Sequence, residues 1–309
     1  MLKEISKYLR TELIYPKEDQ IIFNNKFFNI NKDNFSQINS NQEEKSIAFV
    51  DGGQAEIYYS GNICLSFIRV AAVIFKENKK DIIKEEFFLL TKAKYQNNEI
   101  FYESKIFGKK LIDEQDLFIS SNDSSIRFGR ERAPLSSVIP IARRLAELSL
   151  ANDIDVDIIV LDGTLEEKYD SEKRYLAVMK ENVCSISKTC TLFTTSGNNP
   201  TILLNKISPK NCWCYMIDER TNFVRLNEKS KHIFRFEGDK NNLPYLINQS
   251  KDAVFLGYPY GLILADKLAR VSNQEKKSMV MKILLDNENK DLVDYLSAIN
   301  AHDILDNLA

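Results

Sequence analysis

The chain has 309 residues, 44% of them hydrophobic and 28% charged, and a net charge of −2. That is enough material for a sizeable core, arranged as two domains or as one large α/β domain with insertions. The near-neutral balance excludes bulk basic attraction as the way to hold nucleic acid, so any such surface is local or is supplied by a partner.

The opening stretch MLKEISKYLRTELIYPKEDQ carries charges throughout and lacks the uninterrupted apolar core of a signal peptide. Leu2, Ile5, Leu9 and Leu13 share one face of a predicted helix over 2–14. The favoured reading is a helix docked on its own domain, the alternative a docking helix for a partner, and Pro16 ends it. Residues 24–45, rich in Asn, read as an irregular connector. The expected division is therefore 1–45, helix and polar connector, and 46–309, the main domain.

From Ser46 the pattern turns to strands. SIAFVDGG is a short apolar strand, and AEIYYSG and ICLSFIRVAAVIF follow as β-rich runs with Ser60-Gly61-Asn62 as a hairpin turn. EEFFLLTKAK (85–94) extends the meander. VIPIARRLAELSLA (138–151) has helical periodicity, with Ser136 or Ser137 as its cap and Pro140 in the first turn. DVDIIVLDGTL (155–165) is a buried strand. The tail from about 274 reads as two helices with a break at Asn287–Asn289. The order β-β-β-α-β predicts a mixed sheet with helices packed on it.

The longest nearly apolar run, 254–265, is too short to span a bilayer, so the expected location is cytoplasmic, without membrane contact. The cysteines at 64, 184, 190, 212 and 214 are scattered and form no CxxC, which points to reduced, buried thiols.

Two buried strands end alike: Ile47-Ala48-Phe49-Val50 runs into Asp51-Gly52-Gly53, and Ile158-Ile159-Val160-Leu161 into Asp162-Gly163-Thr164. A carboxylate at the edge of a core needs a cation, hydrogen bonds or water. If the strands are neighbours, both acids come within reach of one site for a hard cation such as Mg²⁺ or Mn²⁺. The competing reading is a pair of ordinary Asp-Gly turns. Glu147, on the helix before the second strand, is the third candidate, and periodicity alone favours an ion pair with Arg143 for it.

The strand AFVDGG, the helix ARRLAELSLA, the strand IIVLDGTL, the later SISKT, the segment GYPYGLILADKLAR and the terminal AHDIL resemble, in that order, the NurA family. The resemblance runs from about residue 46 to the end. It implies an α/β, RNase H-like fold, here a mixed β-sheet flanked by helices with N- and C-terminal helical extensions. It also implies a deoxyribonuclease that uses Mn²⁺, with Mg²⁺ as an alternative. The activities it implies are 5′–3′ exonuclease and single-strand endonuclease, in the resection of DNA ends by a homodimer working with a hexameric HerA-type ATPase. Asp51 and Asp162 match the family's strand-end aspartates, Glu147 its helix glutamate and His302 its C-terminal histidine, all four as catalytic and metal-binding residues. Thr164 stands where a serine is usual, and Gly261 where proline is common.

The resemblance also changes the reading of His302. Without it a histidine near a terminus is a solvated residue; with it His302 is a metal ligand or proton-transfer group. Arg127, Arg130, Arg132, Arg143 and Arg144 form the strongest local basic patch, offset only by Glu131, and phosphate contact competes there with simple solvation or ion pairing. Lys188, in SISKT, is a further phosphate contact on the strength of the resemblance. The rival readings are another RNase H-like hydrolase acting on DNA or RNA, and a non-catalytic NurA-like regulatory subunit of a DNA-translocase complex.

Overall fold

A computed structural model describes residues 1–12, 19–41, 43–77 and 79–285. Pro16, the Asn287–Asn289 break and His302 lie outside them. The described residues fall into two compact units, one drawn from 1–44, 162–164 and 184–260, the other from 45–161, 165–183 and 261 onward.

Helix α1 (Leu2–Glu12) opens the first unit. Its apolar face is present but not covered: Leu2, Ile5, Tyr8 and Leu9 are exposed, which corrects the reading of a helix docked on its own domain. Spacing reports an apolar face and says nothing of what lies against it. The Asn-rich stretch is also more ordered than its polarity suggests. Strands β1 (Gln20–Phe23) and β2 (Lys26–Asn29) form a hairpin, and β3 (Phe35–Gln37) follows. Asn24 and Asn25 make the turn at φ 50° and 58°, a left-handed conformation that asparagine tolerates better than most residues. Asn31 then accepts the Asp33 N–H to cap a short 3₁₀ turn. These asparagines encode turns, not disorder.

The second unit holds the long strands β4 (Ile47–Ser60), β5 (Ile63–Lys76), β6 (Lys79–Gln96) and β7 (Glu99–Gly108), with the short β8 (Ile119–Ser120). Helix α2 (Val138–Asp153), strand β9 (Ile158–Asp162) and helix α3 (Lys173–Ala177) follow. The sheet order is β9-β4-β5-β6-β7-β8. The antiparallel meander starts from β4, and β9 lies on its other side, parallel to it. This is the expected α/β arrangement, a mixed sheet with helices against it. Helix α2 is buried nearly all round, and its Ile141, Leu145 and Leu148 join Val50, Ile68, Val70 and Leu161 in one core. The cap expected from Ser136 or Ser137 does not form through a side chain. A 3₁₀ turn at Leu135–Ser137 leads the chain in, and Val138 donates its backbone N–H to Leu135 and Ser136.

The first unit resumes with β10 (Val183–Ser187), β11 (Phe193–Thr194), α4 (Pro200–Ile207), β12 (Trp213–Met216), β13 (Thr221–Arg225), β14 (Phe234–Glu237) and α5 (Leu243–Gln249). Its strands are antiparallel in the order β3-β12-β13-β14-β10, with a separate β11-β1-β2 sheet. Trp213, Tyr215 and Phe223 pack with Ile21 and Leu204 at its centre. Helices α6 (Tyr260–Ala269) and α7 (Asn273–Leu284) end the described chain, and Ser272 caps α7 by accepting the Glu275 N–H. Among the described residues no helix is long and apolar enough to cross a membrane.

Candidate active site

In the parallel pairing of β4 with β9, Val50 lies opposite Leu161. The next residue along each chain segment is an aspartate. Asp51 is 7% exposed and accepts the Gly52 N–H on its own Oδ1 at 2.7 Å. A carboxylate at this depth is costly without partners, and what surrounds it defines the site.

Helix α2 packs against the next residue, Gly52. Glu147, 3% exposed, packs its carboxylate against Gly52: a Cβ there would collide with Glu147 Oε1 and stand 2.9 Å from Arg143 Cγ. Arg143, one turn earlier, pairs with Glu147 Oε1, donates to the Gly52 carbonyl at 3.3 Å and reaches Gln54 Oε1 at 3.2 Å. The ion pair expected from helical spacing is therefore present, and it is part of the site. Arg144 stands 4.0 Å from the other Glu147 oxygen and 3.6 Å from Glu172 Oε2. Burial pushes the Glu172 carboxyl up, against the opposing pull of Arg144.

The first unit builds its own arrangement around Asp162. Lys188 brings Nζ to 2.5 Å from Asp162 Oδ2, and the Tyr258 hydroxyl donates to Oδ1 at 3.1 Å. The same ammonium lies 5.4 Å from the centre of the Tyr258 ring, where the ring face attracts a cation. Gly163 turns the chain at φ 109°, and its N–H donates to the Ile186 carbonyl at 3.0 Å. Here the glycine serves as the turn that an Asp-Gly pair suggests.

The NurA domain model matches residues 45–271. The chain belongs to the NurA family. It is accordingly a nuclease. Among curated proteins no sequence match is found. Solved structures give distant likenesses. Ciona intestinalis endonuclease V, bound to a DNA containing an inosine followed by a ribo-adenosine, is 14% identical with a TM-score of 0.38, over 79% of this chain and 92% of that one. Aquifex aeolicus Argonaute is 12% identical with a TM-score of 0.30, over 72% of this chain and 28% of that one. Nothing about the chemistry of the NurA chain follows from scores of that size.

The arginine patch of the NurA domain does not survive as one surface. Arg127, Arg130 and Arg132 are exposed, Arg143 is half-buried in its contacts with Glu147 and Gly52, and Arg144 is 6% exposed beside Glu172. Adjacent residues on a helix point about 100° apart, so Arg144 faces the interior where Arg143 faces β4. Phosphate contact by Arg144 is excluded by that burial. Gly261, where the family often has proline, packs on the Phe49 ring with no room for a Cβ. His302 lies outside the described residues, and His232 is exposed with its ring 4.8 Å from that of Phe255. Sequence reasoning missed Tyr258 and Glu172. Tyr258 lies in the GYPYG segment, but only the fold turns its hydroxyl to Asp162. Among the described residues no three His, Cys, Asp or Glu side chains gather as a metal cage.

Proposed function

We propose that this NurA-family protein is a divalent-metal-dependent deoxyribonuclease that hydrolyses phosphodiester bonds with Asp51, Glu147, Asp162 and His302. The observation that carries the reading is the register of β4 with β9: Val50 lies opposite Leu161, and an aspartate follows each, within β4 and at the end of β9. The donor chemistry fits: carboxylate oxygens are hard ligands, and Asp51 and Glu147 are both buried, with Glu147 packed against Gly52, the residue after Asp51. In this reading Asp51, Glu147, Asp162 and His302 hold one or two Mn²⁺ or Mg²⁺ ions, whose chemistry is to acidify a water and to offset charge on the phosphate. Arg143 fixes the Glu147 carboxylate. Lys188 and Tyr258 orient Asp162, and in this reading the Lys188 ammonium also contacts a phosphate oxygen. His302 accepts or relays the proton of the attacking water.

The finer reading follows the family resemblance: 5′–3′ exonuclease and single-strand endonuclease action in DNA end resection, as a homodimer with a hexameric HerA-type ATPase. Exposed Arg127, Arg130 and Arg132 are the phosphate contacts that remain available. A second reading, a non-catalytic subunit of a translocase complex, draws support from Arg143 and Lys188, which already neutralise two of the acids.

The deciding experiment is digestion of end-labelled single- and double-stranded DNA with Mn²⁺, Mg²⁺ or EDTA, by wild type and Asp51→Ala. Metal-dependent cleavage lost in Asp51→Ala is the expected result, and the product ladder reads polarity. Cleavage that persists in EDTA, or in Asp51→Ala, would remove these acids from the chemistry. No cleavage even with a HerA-type ATPase would favour the subunit reading.

A further inference from the structure

Between β8 and α2 the second unit puts out a loop whose ends are closed on each other. The Ala133 N–H donates to the Ser121 carbonyl at 2.8 Å, the Ser121 N–H donates to the Ile100 carbonyl at 2.9 Å, and the Tyr102 hydroxyl donates to the Ala133 carbonyl. Ile126, 4% exposed, anchors the loop's middle, on a turn closed by the Arg127 N–H to the Asp123 carbonyl at 3.0 Å. Beyond that anchor every residue from Arg127 to Arg132 is exposed. The stretch reads Arg-Phe-Gly-Arg-Glu-Arg, three guanidinium groups against one carboxylate, in a chain whose net charge is −2.

Phe128 stands within it, 91% exposed, more than any other large hydrophobic side chain among the described residues. Gly129 follows at φ 74°, and a Cβ there would meet nothing within 4 Å, so the chain reverses in open solvent just past the ring. A single exposed apolar side chain is ordinary on protein surfaces. What sets this one apart is its company. A ring with both faces open, flanked by phosphate-binding cations on a loop tied at its base, is the composition that single-strand binding uses. Bases stack on the aromatic face, and arginines follow the backbone.

We propose that Phe128 is a base-stacking residue, and that the 127–132 loop holds unpaired DNA by stacking a base on this ring while Arg127, Arg130 and Arg132 contact the adjoining phosphates. The assignment deepens the nuclease reading and rests on it for the identity of the ligand. Every base has a π-face, so the contact is tolerant of sequence. In a duplex those faces are covered by neighbouring pairs, so the ring selects single strands, frayed ends or flaps.

The test is binding of fluorescein-labelled oligothymidylate, the same oligomer with abasic sites, and a blunt duplex, all in EDTA so that nothing is cut. Phe128→Ala is expected to bind the single strand about tenfold more weakly, with an unchanged salt slope and unchanged duplex affinity, and Phe128→Trp is expected to restore binding. Wild type should bind the abasic oligomer about as weakly as Phe128→Ala binds the intact one. Quenching of a 2-aminopurine placed in the strand should report the stacked base in wild type and vanish in Phe128→Ala. Equal affinity of wild type and Phe128→Ala for the intact oligomer, or an equal loss on the duplex, would overturn the assignment. Because these readings need no cleavage, they separate the failure of stacking from the failure of the nuclease reading, which the digestion tests by itself.

Discussion

Glu147 occupies the space that a side chain on Gly52 would need. The carboxylate lies where a Cβ would project, and Arg143 crosses the same spot on its way to the Gly52 carbonyl. Gly52→Ala therefore displaces the Glu147 carboxylate and crowds Arg143 Cγ, side chains that can shift without moving backbone. If Glu147 works only in its place against Gly52, this variant should lose less stability than a backbone clash causes while cleavage falls by about a hundredfold. Unchanged cleavage would mean that Glu147 need not sit where it does.

Gly53→Ala should fail in the opposite way. A Cβ at 53 would collide with the Ala269 carbonyl and stand 3.1 Å from Arg270 Cα, both backbone atoms at the end of α6. Backbone cannot swing aside, so the helix end must shift, at about 1–3 kcal/mol and a melting-temperature drop of roughly 2–12 °C. Two neighbouring glycines thus separate position from stability, and thermal melts beside cleavage rates read the difference.

The arginines divide by the same logic. Arg144 is buried beside Glu172, which is wholly enclosed. Arg144→Ala takes from that carboxyl its paired guanidinium and should lower stability by about 3 kcal/mol, visible in a denaturant melt. Arg130→Ala with Arg132→Ala should leave stability within about 0.5 kcal/mol while flattening the salt dependence of DNA binding by close to one phosphate contact per arginine. A stable Arg144→Ala with weakened DNA binding would return that residue to the surface patch.

Much of the site region was legible because buried strands are local signals. The run into Asp162 and the helix carrying Glu147 form near the expected bounds, but the strand expected to end at Asp51 does not end there: β4 continues through Gly52 and Gly53 to Ser60, because those residues stay paired with β5 instead of turning. The failures have a common cause: sequence periodicity describes a segment and not its neighbours. The apolar face of α1 gave no hint that it stays exposed. The five arginines counted as a patch until the register of α2 turned Arg144 inward. The Asn-rich stretch looked loose because turn-forming and disordered segments share a composition, and only the pairing of β1 with β2 tells them apart. Tyr258 was invisible as a partner of Asp162 because the two lie far apart in sequence and meet only through the fold.

Asp19 sets a pH dependence for the first unit. Burial raises its carboxyl pKa, but hydrogen bonds from Ser196, Thr194 and Thr195 outweigh that and bring it down to about 2. A carboxylate whose pKa is depressed by folding contributes stability above its unfolded value near 3.9 and loses it as pH falls through the folded value. The window is therefore about pH 4 down to pH 2, and the contribution above it is about 2–3 kcal/mol. Asp19→Asn, which gives up an acceptor oxygen and the charge, should be less stable than wild type by about that amount at pH 7. The gap should close near pH 2. A gap independent of pH would show that shape, and not ionisation, ties the β1–β2 hairpin to the 194–196 turn.

Lys188 makes the sharpest claim on the metal. Its ammonium, 2.5 Å from Asp162 Oδ2, offers the same carboxylate a positive charge that a divalent ion would also supply. The two cations compete for one oxygen, since like charges at that spacing repel. Lys188→Met removes the competitor and keeps a chain of similar length against Tyr258. If Asp162 is a ligand, half-maximal cleavage should require severalfold less Mn²⁺ in this variant. If Lys188 also steadies the phosphate, the maximal rate should fall by about tenfold at saturating metal. A Mn²⁺ titration of cleavage measures both quantities at once. A lowered metal requirement with an unchanged maximal rate would leave Lys188 as a placeholder for the metal's charge, whereas an unchanged requirement would take Asp162 out of the ligand set.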